Sequence, residues 1–242
     1  KIIFSLLEKN RSQKYLKYIL INKYLLNFFK FKKKDYLILD DAVNLEMFKT
    51  RNSRIIGNTC AYFGSLTPGK GLEIIKDIST KLKNIDFHIY GDLKLLNSKF
   101  SMFKKEKNIK FFNYLKYYKI PEKMKQYNIL LMPYLKNVSV RSNNLDVANY
   151  MSPLKLFEYM ASGKIILATN LSVYSHILKN NRNSILIPVG NTNVWKEKIL
   201  EVFKNINKFK YLQKNSLQTV KNYTWDIRVQ KILKNFKNLN LN

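Results

Sequence analysis

The sequence predicts an α/β protein, a doubly wound parallel sheet with helical extensions at both ends. Three observations lead there. Six short β-rich runs recur between Thr59 and Val189. Helical stretches separate most of them. Most of the runs are continuously apolar rather than alternating, as a strand covered on both faces requires. Strand, helix, strand at this spacing implies parallel pairing through right-handed crossovers. A sheet of that kind takes its ligands at the carboxyl ends of the strands.

In chain order, residues 1–34 are helical in pattern and very basic, without a strand–helix repeat. Asp35–Leu39 (DYLIL) reads as one strand, and the polar stretch Asp40–Asn58 follows it. The six strands of the main repeat are Thr59–Gly64, Asp86–Gly91, Ile109–Asn113, Ile129–Tyr134, Lys164–Thr169 and Ser184–Val189. Helices are expected over Gly71–Lys83, Ile120–Gln126, Ser152–Ala161, Ser172–Leu178 and Asn193–Phe203. Two helices without strands, Lys208–Lys221 and Trp225–Leu239, close the chain. The expected organisation is a helical segment over 1–34, a linker region over 35–58, a Rossmann-like domain over 59–222 and a closing helix over 223–242. No internal repeat and no low-complexity linker interrupts it.

Composition narrows the function classes. The chain has 242 residues and is 46% hydrophobic, enough for a sizeable core and too much for wholesale disorder. There are 44 Lys+Arg against 16 Asp+Glu, a formal net charge of +28. Such a balance suits a nucleic acid, an anionic membrane face or a phosphorylated small substrate. The lysines are scattered, with Lys32-Lys33-Lys34 the longest run, so a plain solvated surface explains the charge equally well. Nothing resembles a helix-turn-helix, zinc-finger or RNA-recognition motif, and no nucleic-acid partner is expected. One cysteine, Cys60, excludes a disulfide framework and a multi-cysteine zinc site. His88 and His176 lie far apart, so no metal site is expected. No apolar run reaches the roughly 18 residues that span a bilayer.

Two segments carry chemistry. The first strand runs into Gly64-Ser65-Leu66-Thr67-Pro68-Gly69-Lys70-Gly71. This has the GxxxxGK start of a P-loop, but Gly71 stands where that loop needs Ser or Thr, and Pro68 removes an amide. What survives is a glycine-rich turn that presents Lys70 at the sheet's carboxyl edge, where a phosphate fits. A plain strand-to-helix turn with an exposed lysine is the alternative.

The second segment is Ser152–Gly163, SPLKLFEYMASG. Ser152 is a good N-cap and Pro153 suits the first helical turn. Leu154, Phe157, Met160 and Ala161 give the helix an apolar face, and Gly163 ends it. Free amides at such a helix start accept an anion. Glu158 lies about one and a half turns further in. A lone carboxylate there suits hydroxyl binding better than proton transfer; a solvated Glu on an amphipathic helix is the alternative.

The succession GSLTPGKG, FHIYGD, FFNYL, NILLMPY, SPLKLFEYMASGKIILATN and NSILIPVGN resembles the nucleotide-sugar-binding, carboxyl-terminal domain of GT-B glycosyltransferases. The match is to the retaining family 4, the glycosyltransferases group 1, over about residues 36–240. SPLKLFEYMASGK looks like its bacterial members that build surface polysaccharides of the cell envelope. Asp40-Asp41-Ala42-Val43-Asn44 with Phe48 looks like the interdomain linker. Tyr223-Thr224-Trp225-Asp226 with Arg228 looks like the helix that crosses back to the other domain.

The resemblance implies roles. Lys70 would bind donor phosphate, with Gly64 and Ser65 beside it; the family often has an arginine at the position of Ser65. Glu158 matches the second glutamate of the E-x7-E pattern and would bind the ribose hydroxyls; the first glutamate falls at Tyr150. Amides near Ser152, Leu154 and Lys155 would face the pyrophosphate. Asn113 and Tyr114 belong to the loop that packs on the base. Lys70 and Glu158 are thus the expected catalytic pair. The implied reaction is sugar transfer with retention, without a metal and without a cofactor beyond the nucleotide-sugar donor. Lys70 and the helix amides would stabilise the leaving diphosphate. No residue is nominated as a base.

The implied partners are the donor and a glycan or lipid-linked acceptor. Most of the amino-terminal acceptor domain is expected to lie outside this chain. The expected location is the cytoplasm, with peripheral contact at the inner membrane face. For that contact the basic stretch 12–34 offers interleaved Tyr15, Tyr18, Tyr24, Phe28, Phe29 and Phe31. A helix packed on the absent domain explains the same stretch. Two rivals stand beside the enzyme: an inactive domain of the same fold serving as an interaction partner, and a basic nucleic-acid-binding protein.

Overall fold

The structure is a computed structural model. It describes residues 18–27, 36–49, 53–95, 103, 105–140 and 143–237. In chain order the strands are β1 (Tyr18–Leu20), β2 (Tyr36–Ile38), β3 (Thr59–Phe63), β4 (Asp86–Tyr90), β5 (Ile109–Phe112), β6 (Ile129–Met132), β7 (Ser139–Val140), β8 (Asn143–Asp146), β9 (Ile165–Thr169) and β10 (Ile185–Ile187). The α-helices are α1 (Leu72–Lys81), α2 (Ile120–Met124), α3 (Leu154–Ser162), α4 (Thr192–Lys204), α5 (Lys210–Val220) and α6 (Trp225–Lys237).

The main sheet has the order β10-β9-β6-β3-β4-β5, parallel throughout. The chain starts at β3, builds outward through β4 and β5, then returns to β6 on the other side of β3 and builds outward again. The order in which strands are added therefore reverses between β3 and β6, and a crevice opens beyond their carboxyl ends.

Side-chain alternation along each strand feeds two cores. Cys60 and Tyr62 of β3 join Ile75 and Ile78 of α1 and Trp195 of α4 on one face. Ala61 and Phe63 join Leu156 and Phe157 of α3 and Val220 of α5 on the other. All five residues of β3, β6's four and β9's five are buried, which explains their unbroken apolar runs. Ile78, fully buried, is a representative position: truncation to Ala there costs about 2–5 kcal/mol.

The ends of the chain return to the linker. Val43 N–H donates to the Tyr223 carbonyl at 2.9 Å. Arg228 of α6 donates from Nε to the Asp40 carbonyl at 3.0 Å and from its terminal nitrogen to the Leu39 carbonyl at 3.3 Å. Among the described residues no helix is long and apolar enough to cross a membrane.

Three expectations are corrected. Tyr18–Leu20 is a strand paired in parallel with β2, not part of a helix; pairing between two β-rich triplets overrides the helical pattern. Ser172–Leu178 shortens to a 3-10 turn at Ser172–Tyr174. There the Ile177 and Leu178 amides both bond the Tyr174 carbonyl at 3.0 Å, while the Tyr174 hydroxyl donates to the Thr169 carbonyl at 2.6 Å and Asn183 Nδ2 to the Ile177 carbonyl at 2.9 Å, fixing a tight turn. The stretch Asn137–Tyr150, for which no element was expected, holds the antiparallel β7–β8 hairpin. Asp146 braces it by accepting from the amides of Val138 at 2.9 Å and Ala148 at 3.0 Å. Of the stretch 12–34, residues 12–17 and 28–34 lie outside the described residues, including Tyr15, Phe28, Phe29 and Phe31.

Candidate functional site at the switch point

The β3–β6 ladder pairs Cys60 with Ile129 and Ala61 with Leu130, then stops. Past that point the strands part, and a hydroxyl fills the gap. Tyr159 of α3, fully buried, accepts from the Phe63 amide at 2.9 Å and donates to the Leu131 carbonyl at 3.2 Å. One tyrosine thus satisfies both strands and sets the height of α3 over the crevice.

The loop after β3 is packed hard against the loop after β6. Gly71 starts α1 in the left-handed region, φ 84°, and a Cβ there would lie 1.8 Å from the Pro133 carbonyl oxygen. Only glycine fits both conditions. The Leu135 amide bonds the Gly69 carbonyl at 2.9 Å. Within the loop, Tyr62 Oη donates to the Ser65 carbonyl at 2.7 Å and Ser65 Oγ to Thr67 Oγ1 at 3.1 Å. This network aims Lys70 across the crevice: its Nζ stands 4.6 Å from the centre of the Tyr134 ring. Burial pushes the Lys70 ammonium below its usual pKa.

Helix α3 delivers the other half. Its N-cap is Pro153, φ −75° and ψ 110°, and not Ser152 as the sequence suggested. The Ser152 hydroxyl instead accepts from the Asp41 amide in the linker at 3.1 Å. Asn22 Nδ2 holds the neighbouring Met151 carbonyl at 3.2 Å. The amides of Leu154 and Lys155 stand at the open first turn, where helical N–H groups have no carbonyl four residues back to bond.

The Lys155 side chain runs back across the crevice. Its Nζ sits 3.6 Å from the centre of the Tyr62 ring and 5.2 Å from that of Tyr134. The two lysines therefore share the Tyr134 ring. One turn on, Glu158 is half-buried and bonds Tyr117. Burial raises the Glu158 carboxyl; the Tyr117 bond and then the Lys155 charge oppose that rise. Burial, followed by Glu158, pushes the Tyr117 hydroxyl up to about 12.

Beside these groups lies a cavity of about 340 Å³, with Phe63, Gly64, Ser65, Tyr90, Asp92 and Tyr114 in its wall. Tyr90 meets it edge-on, its two ring faces stacked against Phe63 (4.5 Å, 4°) and Phe112 (4.6 Å, 13°). A flat heterocycle beside a cationic crevice matches this shape and chemistry.

Lys70, Lys155, Glu158, Gly64 and Ser65 therefore come together, with Leu154 at the helix start and Tyr114 on the cavity wall. Asn113 does not join them: its side chain accepts from the Tyr114 amide at 2.8 Å and shapes the loop. Ser152 serves the linker. Sequence reasoning missed Tyr62, Tyr134, Tyr117 and Tyr159. It also treated Lys155 only as an amide donor. The spacing of Lys155, Glu158 and Tyr159, at i, i+3 and i+4, was the available signal that they share one helix face.

Comparison with known proteins agrees with this picture. The family described as glycosyl transferases group 1 matches residues 57–205. An uncharacterized glycosyltransferase of Methanocaldococcus jannaschii is 26% identical over 208 residues, which are 84% of this chain and 54% of that protein. The chain thus spans about half the length of this curated relative. A glycosyltransferase from Rickettsia africae superposes with a TM-score of 0.80 at 17% identity, over 100% of this chain and 68% of that one. Anabaena HepE, in complex with UDP and glucose, superposes with a TM-score of 0.72 at 14% identity, over 90% of this chain and 62% of that one. The C-terminal domain of a group 1 glycosyl transferase from Francisella tularensis is covered completely, by 76% of this chain, with a TM-score of 0.61 at 18% identity.

Proposed function

Because this chain belongs to the glycosyl transferases group 1, we propose that it is the donor-binding half of an enzyme that moves a sugar from a nucleotide-sugar to a glycan or lipid-linked acceptor. The observation that carries the reading is the convergence of Lys70 and the start of the Glu158 helix on one ring, Tyr134, at the switch point. A diphosphate placed there meets an ammonium group and open helix amides. Glu158 accepts from the ribose hydroxyls, and the base enters the cavity walled by Tyr90 and Tyr114. Anabaena HepE, of the same fold, was solved with UDP, and its ligand supports a nucleoside diphosphate here as well.

In this reading charge grows on the diphosphate as the glycosidic bond breaks. Lys70 and the α3 amides are already in place to receive it, so no reorganisation is needed at that moment. Transfer proceeds with retention, and the protein's own cations take the role a metal would fill. The acceptor domain completes the cleft, α6 crosses back to it, and the basic segment 12–34 provides contact with the inner membrane face.

The test is calorimetric binding of a panel of nucleotide-sugars to this chain. At least one binds with a Kd in the millimolar range or tighter, and Lys70→Ala weakens it roughly tenfold or more, the scale of a lost hydrogen bond to a charged group. Failure of every nucleotide-sugar to bind at millimolar concentration sinks the proposal.

A further inference from the structure

The loop after β3 brings a single cation into the crevice, since Ser65 carries none. The second comes from across the crevice, and its placement is unusual. Lys155 is only 8% exposed, yet its Nζ has no hydrogen-bond partner among the described residues. The groups around it are Tyr62 from β3, Tyr134 after β6, Lys70 from the opposite loop and Glu158 on its own helix. Two aromatic faces and a like charge do not satisfy an ammonium group with three donors. Helix α3 begins at the protein surface, where a lysine stem ordinarily turns outward to water. Here it is drawn inward through the space that Gly64 leaves: a Cβ on Gly64 would stand 2.6 Å from Lys155 Nζ and 2.8 Å from Cε.

Resting on the donor-binding reading above, we propose that the Lys155 ammonium is a second diphosphate-gripping cation, paired with Lys70 across the Tyr134 ring. The loop supplies one charge and the helix the other, so the anion is held from both walls of the crevice. Because Lys155 stands against Gly64, the residue before Ser65, it reaches the start of the loop, which has no charge of its own. Tyr62 and Tyr134 hold the stem in position while the site waits for ligand.

Burial, then Lys70, drives the Lys155 pKa well below that of an ordinary lysine, and Glu158 opposes this only in part. An arriving diphosphate reverses the balance and favours the charged form.

The experiment titrates UDP, GDP and ADP, and the corresponding nucleosides, into this chain and into its Lys155→Met variant by calorimetry. The unliganded melting temperatures of both proteins are measured alongside. The expected result is that the unmodified chain binds at least one diphosphate more tightly than the corresponding nucleoside. The variant loses roughly ten- to hundredfold in diphosphate affinity and nothing in nucleoside affinity. Its unliganded melting temperature is equal or higher, because a buried amine without a hydrogen-bond partner has been removed. Unchanged diphosphate binding in the variant overturns this inference and leaves the donor reading standing. An equal loss of nucleoside affinity in the variant overturns it as well, because the effect is then not on the diphosphate. If the unmodified chain binds none of the three diphosphates, the donor reading itself fails and takes this inference with it.

Discussion

Tyr159→Phe is the sharpest test of how the crevice is built. The substitution keeps the ring, which is fully buried, and removes only the hydroxyl. That hydroxyl serves the Phe63 amide at 2.9 Å and the Leu131 carbonyl at 3.2 Å, at the place where β3 and β6 have already parted. No neighbouring strand is in register to replace it, and Phe63, Leu131 and Tyr159 are all buried from solvent. The variant therefore leaves one buried donor and one buried acceptor unpaired. An unsatisfied buried group costs about 1–3 kcal/mol. The carbonyl, with two lone pairs, suffers less than the amide. A total of about 2–3 kcal/mol is expected, a melting shift of roughly 4–12 °C for a chain of this size. Urea unfolding of the two proteins measures it, and equal m-values show that the same surface is exposed. A loss below about 0.5 kcal/mol, the scale of an ordinary surface change, refutes the argument that this hydroxyl closes the gap between the strands.

Three other outcomes follow from the same geometry. Gly71→Ala places a methyl group against the Pro133 backbone at a positive φ, so the variant is destabilised by more than about 2 kcal/mol; stability within 0.5 kcal/mol of the parent would show that the two loops are not locked together. His88 has its pKa lowered to about 4, by burial first and then by Lys110; its folded value lies below the unfolded one, so the stability it contributes is lost as pH falls from about 6.5 towards 4. Comparing urea unfolding at both ends of that window, His88→Phe should be less acid-sensitive than the parent by roughly 2–3 kcal/mol, and identical pH profiles would exclude His88 as the cause. Glu158→Gln is expected to weaken nucleoside and nucleoside diphosphate binding alike, and to flatten any loss of affinity in acid that arises as the raised Glu158 carboxyl protonates; an effect on the diphosphate alone would move Glu158 away from the ribose.

Much of this was legible in the chain itself. Buried parallel strands need apolar side chains on both faces, so TCAYF, ILLM and IILAT announced themselves. Gly163 at φ 66° ends α3 where the sequence placed its stop. Other features depended on partners remote in sequence. Ser152 has the chemistry of an N-cap, but the Asp41 amide, 111 residues away, claims its hydroxyl. Tyr18–Leu20 is a strand only because Tyr36–Ile38 lies beside it.

The order of strands and helices, the glycine-rich turn bearing Lys70 and the helix bearing Glu158 follow from local pattern, because propensity and burial periodicity are properties of neighbouring residues. The direction of the Lys155 side chain does not. A lysine at a helix start ordinarily points to water, and here two aromatic rings and the missing Cβ of Gly64 turn it inward. Those three come from β3, the end of β6 and the turn between β3 and α1, and only the folded sheet brings them to one point.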